Sequence, residues 1–218
     1  MITSRATEGW AAGGAEQRAI SLKCIILLIN ENEINGCEYH NNSHIEAMYQ
    51  YLENTDEPYD EALDWAVMFH DIVYDAEPKK EWRSACVFSD MKNKYRGCNL
   101  SLWDVSKVSG LIMATETHLL ETKNLPRNYS AIIRADLHAL TSKVDTINNF
   151  TKIMNESMNL YDCSVEDFAD NNIQFMSSLH QRMATNVLNV DEGEKEFFRK
   201  VQNGIDLTIR MAQSIQRC

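Results

Sequence analysis

The stretch ALDWAVMFHDIVYD, residues 62–75, decides the fold. Leu63, Ala66, Val67 and Phe69 recur with helical spacing, and the apolar run ends on His70 and Asp71. Continued back to Pro58 and on to Tyr74, the pattern predicts one helix over 58–74. An imidazole beside a carboxylate on the inner side of such a helix is costly unless something compensates it.

The flanking sequence keeps the same period. A mobile lead-in is expected over 1–14, then an apolar-rich helix over about 15–30. SHIEAMYQYLEN (43–54) follows, with Ser43 and Glu46 in the S-x-x-E capping pattern. RSACVFSDMKNKY (83–95) and LWDVSKVSGLIMATETH (102–118) read as helices, the second behind Ser101 and Asp104. Pro126 precedes NYSAIIRADLHAL (128–140). Three more helices are expected at about 143–161, 165–189 and 191–217, the last two capped by Ser164 with Asp167 and by Asp191 with Glu194. Three prolines and eight glycines suit long helices, and period-two runs are short, so the fold class expected is all-α. The divisions expected are 1–14, a core over 15–141, and C-terminal helices over 142–218 that pack on it or meet a partner or second subunit.

Hydrophobic residues at 44% and charged residues at 24% support a packed core. The net charge of −11 disfavours non-specific nucleic-acid binding, which needs clustered cations. An anionic substrate would need a metal or a local basic pocket. Cysteines stand at 24, 37, 86, 98, 163 and 218 with no CxxC spacing, and the start lacks an apolar signal region. Free thiols in a reducing cytoplasm are expected. The apolar run Cys24–Ile29 is too short to span a bilayer, so no membrane partner is expected.

Five of the six histidines fall between 40 and 138. His44, His70, Asp71 and Asp136 lie on three expected helices. Alone, each has an ordinary explanation, such as a hydrogen-bonded core histidine or an Asp136–Arg134 pair. Together, inward-facing imidazoles and carboxylates call for a cation. Two imidazole nitrogens and two carboxylate oxygens suit a divalent ion such as Mn, Fe, Co, Ni, Zn or Mg, with open positions for water whose pKa it lowers.

Over about residues 37–141 the sequence resembles the HD superfamily of metal-dependent phosphohydrolases. The matching pieces are YHNNSHI (39–45), WAVMFHDIVYD (65–75), EWRSA (81–85), LIMATETH (111–118) and RADLHAL (134–140), in that order. The resemblance implies an HD-like helical bundle with a C-terminal helical extension. It implies His44, His70, Asp71 and Asp136 as ligands of one metal, or of two. His118 is read either as a ligand of a second metal or a contact to substrate phosphate, or as a group behind the ligands or a helix cap. His40 is read as a substrate contact or a group behind the ligands. Glu81 is a candidate general base on the Glu-x-x-Ser-Ala step that includes Ser84, and Asp75 is its rival. The family usually has Asn before that Glu; this chain has Lys80, which supplies charge for a phosphate or is simply solvated. Arg134 stands where the family often has an acid, as a cation near the substrate or a change in tuning. His138 is expected to be structural and His180 to lie on a surface.

The expected reaction is hydrolysis of a phosphoester or phosphoanhydride, with a nucleotide as the expected substrate. Trp65, Tyr74 and Trp82 are read as core packing first and as base-stacking surfaces second. A mixed-valent di-iron oxygenase of the same fold needs more histidines between the dyad and Asp136 than His118 alone. A silent nucleotide-binding or protein-interaction module on the same fold is the alternative from outside enzymology, and the chain is open to forming a homo-oligomer under either reading.

Overall fold

The computed structural model describes residues 37–94 and 102–217, except 56, 59, 123 and 124. The expected lead-in, the helix at 15–30, and the Ser101–Asp104 cap lie outside the described residues. The described residues are all-α, as the periodicity predicts. They form eight α-helices and one 3-10 turn, with no strand among them. They are α1 (Asn42–Asn54), α2 (Glu61–Phe69), α3 (Lys80–Lys94), α4 (Leu102–Thr117), α5 (Arg127–Leu137), the 3-10 turn His138–Thr141, α6 (Lys143–Tyr161), α7 (Val165–Asn189) and α8 (Glu192–Ile215). None is long and apolar enough to cross a membrane. Two compact units divide at Glu116/Thr117, whereas the sequence division at 141/142 follows the motif block.

In the unit that ends at Glu116, α2 is buried on every side from Ala62 to Phe69. A short helix apolar all round belongs inside a core. Trp65, Phe69 and Phe88 of α3 pack with ring centroids 5.3–5.9 Å apart. Trp65 is thus a packing residue, while Trp82 is 55% exposed.

Two expected helix starts are corrected. Asn41, not Ser43, caps α1, because its Oδ1 takes the Ser43 N–H at 2.9 Å. Pro58 does not open α2. The helix starts at Glu61, because Asp60 Oδ1 takes the Leu63 N–H at 3.0 Å. The other Asp60 oxygen accepts from Lys107 Nζ of α4 at 2.7 Å.

The end of α2 is also corrected. The helix stops at Phe69, with His70 as C-cap. Continuation would give the Val73 N–H to the Phe69 carbonyl; instead it donates to the buried Ser84 Oγ at 3.1 Å, and Phe69 O accepts from Ile72 N. The His70–Asp71 pair therefore sits on a turn at the helix end, not within a helix.

In the unit that starts at Thr117, α7 and α8 pack along their length. Asn172, Met176, Leu179, Met183 and Asn186 are buried on α7, and Phe198, Val201, Ile205, Thr208 and Ala212 on α8. The alternating steps of three and four are those of paired helices. Gly204 of α8 meets the 3-10 turn so closely that a Cβ there would stand 2.0 Å from Leu140 O. Phe150 of α6 and Phe168 of α7 stack edge-on at 5.5 Å in a second cluster.

The box at Ser164 and Asp167 is formed in both directions. The one expected at Asp191 and Glu194 is not: Asp191 is the N-cap but its side chain makes no cap bond. Glu194 instead accepts from Ser130 Oγ at 2.7 Å and pairs with Arg134.

Candidate metal centre

His44 comes from α1 and is 5% exposed; His70 ends α2 and is 1% exposed. Their Nε2 atoms lie 3.3 Å apart. Asp71 Oδ2 lies 2.9 Å from His70 Nε2. All three belong to the unit that ends at Glu116, and the two imidazoles are part of a group that could hold a metal ion.

The protonation pattern tests that fit. His70 Nδ1 lies 2.9 Å from the Val67 carbonyl oxygen. A carbonyl only accepts, so Nδ1 carries the proton and the neutral ring presents a lone pair at Nε2. That lone pair faces a carboxylate oxygen, which also only accepts. Two acceptors at this distance repel unless a cation, either a proton or a metal, lies between them. Donor atoms about 3 Å apart are also what metal–ligand bonds of roughly 2.0–2.2 Å produce. The residues fit a divalent ion.

Around this set, His40 Nε2 approaches Asp71 Oδ2 at 4.0 Å. Its ring stacks on Tyr74 with centroids 3.8 Å apart, and Lys80 Nζ sits 3.7 Å from the centroid of the same ring. Glu81 follows in the first turn of α3. Burial, and then the Asp71 and Glu116 carboxylates, push its carboxyl above the ordinary Glu value; its own backbone amide and Lys80 oppose them.

Asp75 has a different environment. Arg83 Nη1 donates to its Oδ2 at 2.8 Å, and Nη2 bonds Oδ1 and the Glu77 carbonyl. Arg83 holds the Asp75 carboxyl below the ordinary range. Of the two candidate bases, Glu81 is the one tuned toward accepting a proton.

In the unit that starts at Thr117, His118 follows α4 with φ of 53°. Its Nε2 lies 2.8 Å from Asp136 Oδ2 of α5. Asp136 therefore pairs with His118, while Arg134 Nε lies 3.1 Å from Glu194 Oε1. Side chains two positions apart on a helix point about 200° apart, which separates the two pairs. Arg134 lines a cavity of about 370 Å³ with Leu120, Arg127, Ser130, Asn189 and Glu194. His138 Nδ1 donates to the Ala135 carbonyl at 2.6 Å, and His180 lies 3.7 Å from Asp206, partly exposed.

Two contributors were read in the sequence in other roles, Ser84 as part of the Glu-x-x-Ser-Ala step and Tyr74 first as core packing. The Ser84 hydroxyl shapes the turn that carries the dyad, and the Tyr74 ring lies between His40 and Lys80. Cys37, Cys86 and Cys163 are free thiols, as expected of them. No family model, curated protein or solved structure matches the chain.

Proposed function

We propose that the chain is a metal-dependent phosphohydrolase acting on a phosphorylated small molecule, a nucleotide in the first instance. The observation that carries this reading is the His44–His70–Asp71 donor set, with the His70 lone pair fixed toward Asp71. On the sequence resemblance alone, Asp136 is proposed as a further ligand. A divalent cation held by such a set polarises a phosphoryl oxygen and lowers the pKa of water bound beside it.

The remaining roles belong to the chain's own groups. Glu81, with its raised pKa, accepts the proton of the attacking water. Lys80, seated over Tyr74, offers positive charge to a substrate phosphate in a chain whose net charge is −11. His40, stacked on the same Tyr74 ring, has its Nε2 4.0 Å from Asp71 Oδ2 and is proposed as a contact to the substrate. Trp82 is exposed next to Glu81 and can stack on a base.

Phosphate release from a nucleotide panel with Mn²⁺, Co²⁺ and Mg²⁺ tests the reading. Turnover lost in both His70→Ala and Asp71→Ala supports it. Tight nucleotide binding with no release by the wild type would favour a silent binding module. Two bound irons with oxygen consumption would favour an oxygenase.

A further inference from the structure

The sequence assigns the C-terminal helices to packing, yet α7 reaches the His118 segment. Asn186 is fully buried, and both ends of its amide are used. Nδ2 donates to the His118 carbonyl at 2.8 Å, and Oδ1 accepts the Leu120 N–H at 2.7 Å. One helical turn later, Asn189 Nδ2 donates to the Leu120 carbonyl at 2.6 Å. The amides thus bind the segment His118–Leu120 as a neighbouring strand would.

The segment needs such a hold. His118 adopts the left-handed conformation, which a residue with a Cβ keeps only when its surroundings fix it. A carboxylate only accepts, so His118 Nε2 carries the proton donated to Asp136. Its Nδ1 is buried and meets no protein hydrogen-bond partner among the described residues. One side-chain bond and the backbone therefore set the ring. A shift of that backbone swings the ring off Asp136.

We infer that Asn186 is a positioning residue that acts through His118 on the Asp136 carboxylate. The inference rests on the phosphohydrolase reading for its catalytic consequence, but not for its structural one. Groups that orient metal ligands from behind typically change activity by about 10–100-fold when removed.

The test compares full-length wild type with Asn186→Leu, which keeps the shape and removes both bonds. Long-range ¹H–¹⁵N spectra of the imidazoles report the His118 tautomer and its hydrogen bond; manganese-dependent phosphate release reports turnover. In the variant the His118 signals move, those of His70 stay, and kcat falls about tenfold with KM within about twofold. Leu179→Ala, elsewhere on the buried face of α7, lowers the melting temperature and leaves the His118 signals in place. If Asn186→Leu does not fold, Asn189→Ala gives a smaller shift in the same direction. Unmoved His118 signals in the folded variant overturn the inference, as does unchanged kcat in a variant whose signals move. Moved signals beside a wild type that releases no phosphate support the positioning and sink the hydrolase reading instead.

Discussion

His70 turns its Nε2 to within 2.9 Å of Asp71 Oδ2 while its Nδ1 is committed to the Val67 carbonyl. With the ring neutral the contact is one between two acceptors, so a bound metal ion relieves repulsion as well as gaining ligands. Metal should therefore stabilise the fold. At a Mn²⁺ concentration about 100 times its Kd, the gain is about 2.7 kcal/mol, or roughly 5–10 °C for a chain of this size. Thermal melts should show that rise in wild type and none in His70→Ala.

Glu81→Gln should separate stability from activity. The folded-state pKa of Glu81 is raised above the unfolded value, chiefly by burial. A carboxyl shifted in that direction favours the fold below the unfolded value, near 4.5, and loses that contribution as pH rises through the folded value. The neutral amide has no such loss. In metal-free protein at pH 7 the variant should melt higher than wild type, and the gap should close below pH 4.5. Phosphate release should fall about 100-fold or more, with the acidic limb of the pH–rate profile removed.

The Asp75–Arg83 pair has the opposite sign. Arg83 lowers the Asp75 pKa from 3.8, so its contribution is present above that value and lost as pH falls through the lower folded one. Asp75 is about half exposed, so Arg83→Ala should cost about 1 kcal/mol or less at pH 7. Urea midpoints of the two proteins should converge in strong acid.

Gly204→Ala should be among the most damaging small substitutions. Alanine normally stabilises a helix interior by about 1 kcal/mol over glycine. Here its Cβ would meet the Leu140 carbonyl oxygen at 2.0 Å, and that neighbour is backbone. A net loss of roughly 1–3 kcal/mol or more is expected in chemical denaturation.

Trp82→Ala tests the nucleotide. The side chain is 55% exposed, so stability should change by no more than about 0.5 kcal/mol. If a base stacks on it, KM for a nucleotide should rise about tenfold while KM for a simple phosphoester holds, since stacking contributes roughly 1–3 kcal/mol per base.

Much of this was legible in the sequence where it is local. The Ser164–Asp167 box involves residues three apart, and both of its bonds form. His70 and Asp71 stood out as polar groups ending an apolar run, and His44 through the YHNNSHI motif, and the structure brings the three together. Long-range contacts were not legible. The α2 helix ends early because Ser84, eleven residues after Val73, takes its amide. Glu194 leaves its expected cap for Ser130, sixty-four residues away in sequence. Asn186 reaches His118 across sixty-eight residues, and an Asn on a helix gives no sign of which backbone it will bind.

Metal content is the most direct test of the centre at His44, His70 and Asp71. Wild type, His70→Ala and Asp71→Ala are loaded with Mn²⁺, dialysed and analysed side by side. At least one ion per wild-type chain is expected, with both variants lower by about tenfold or more. Equal content in all three proteins, or a wild type that retains no metal, would contradict it.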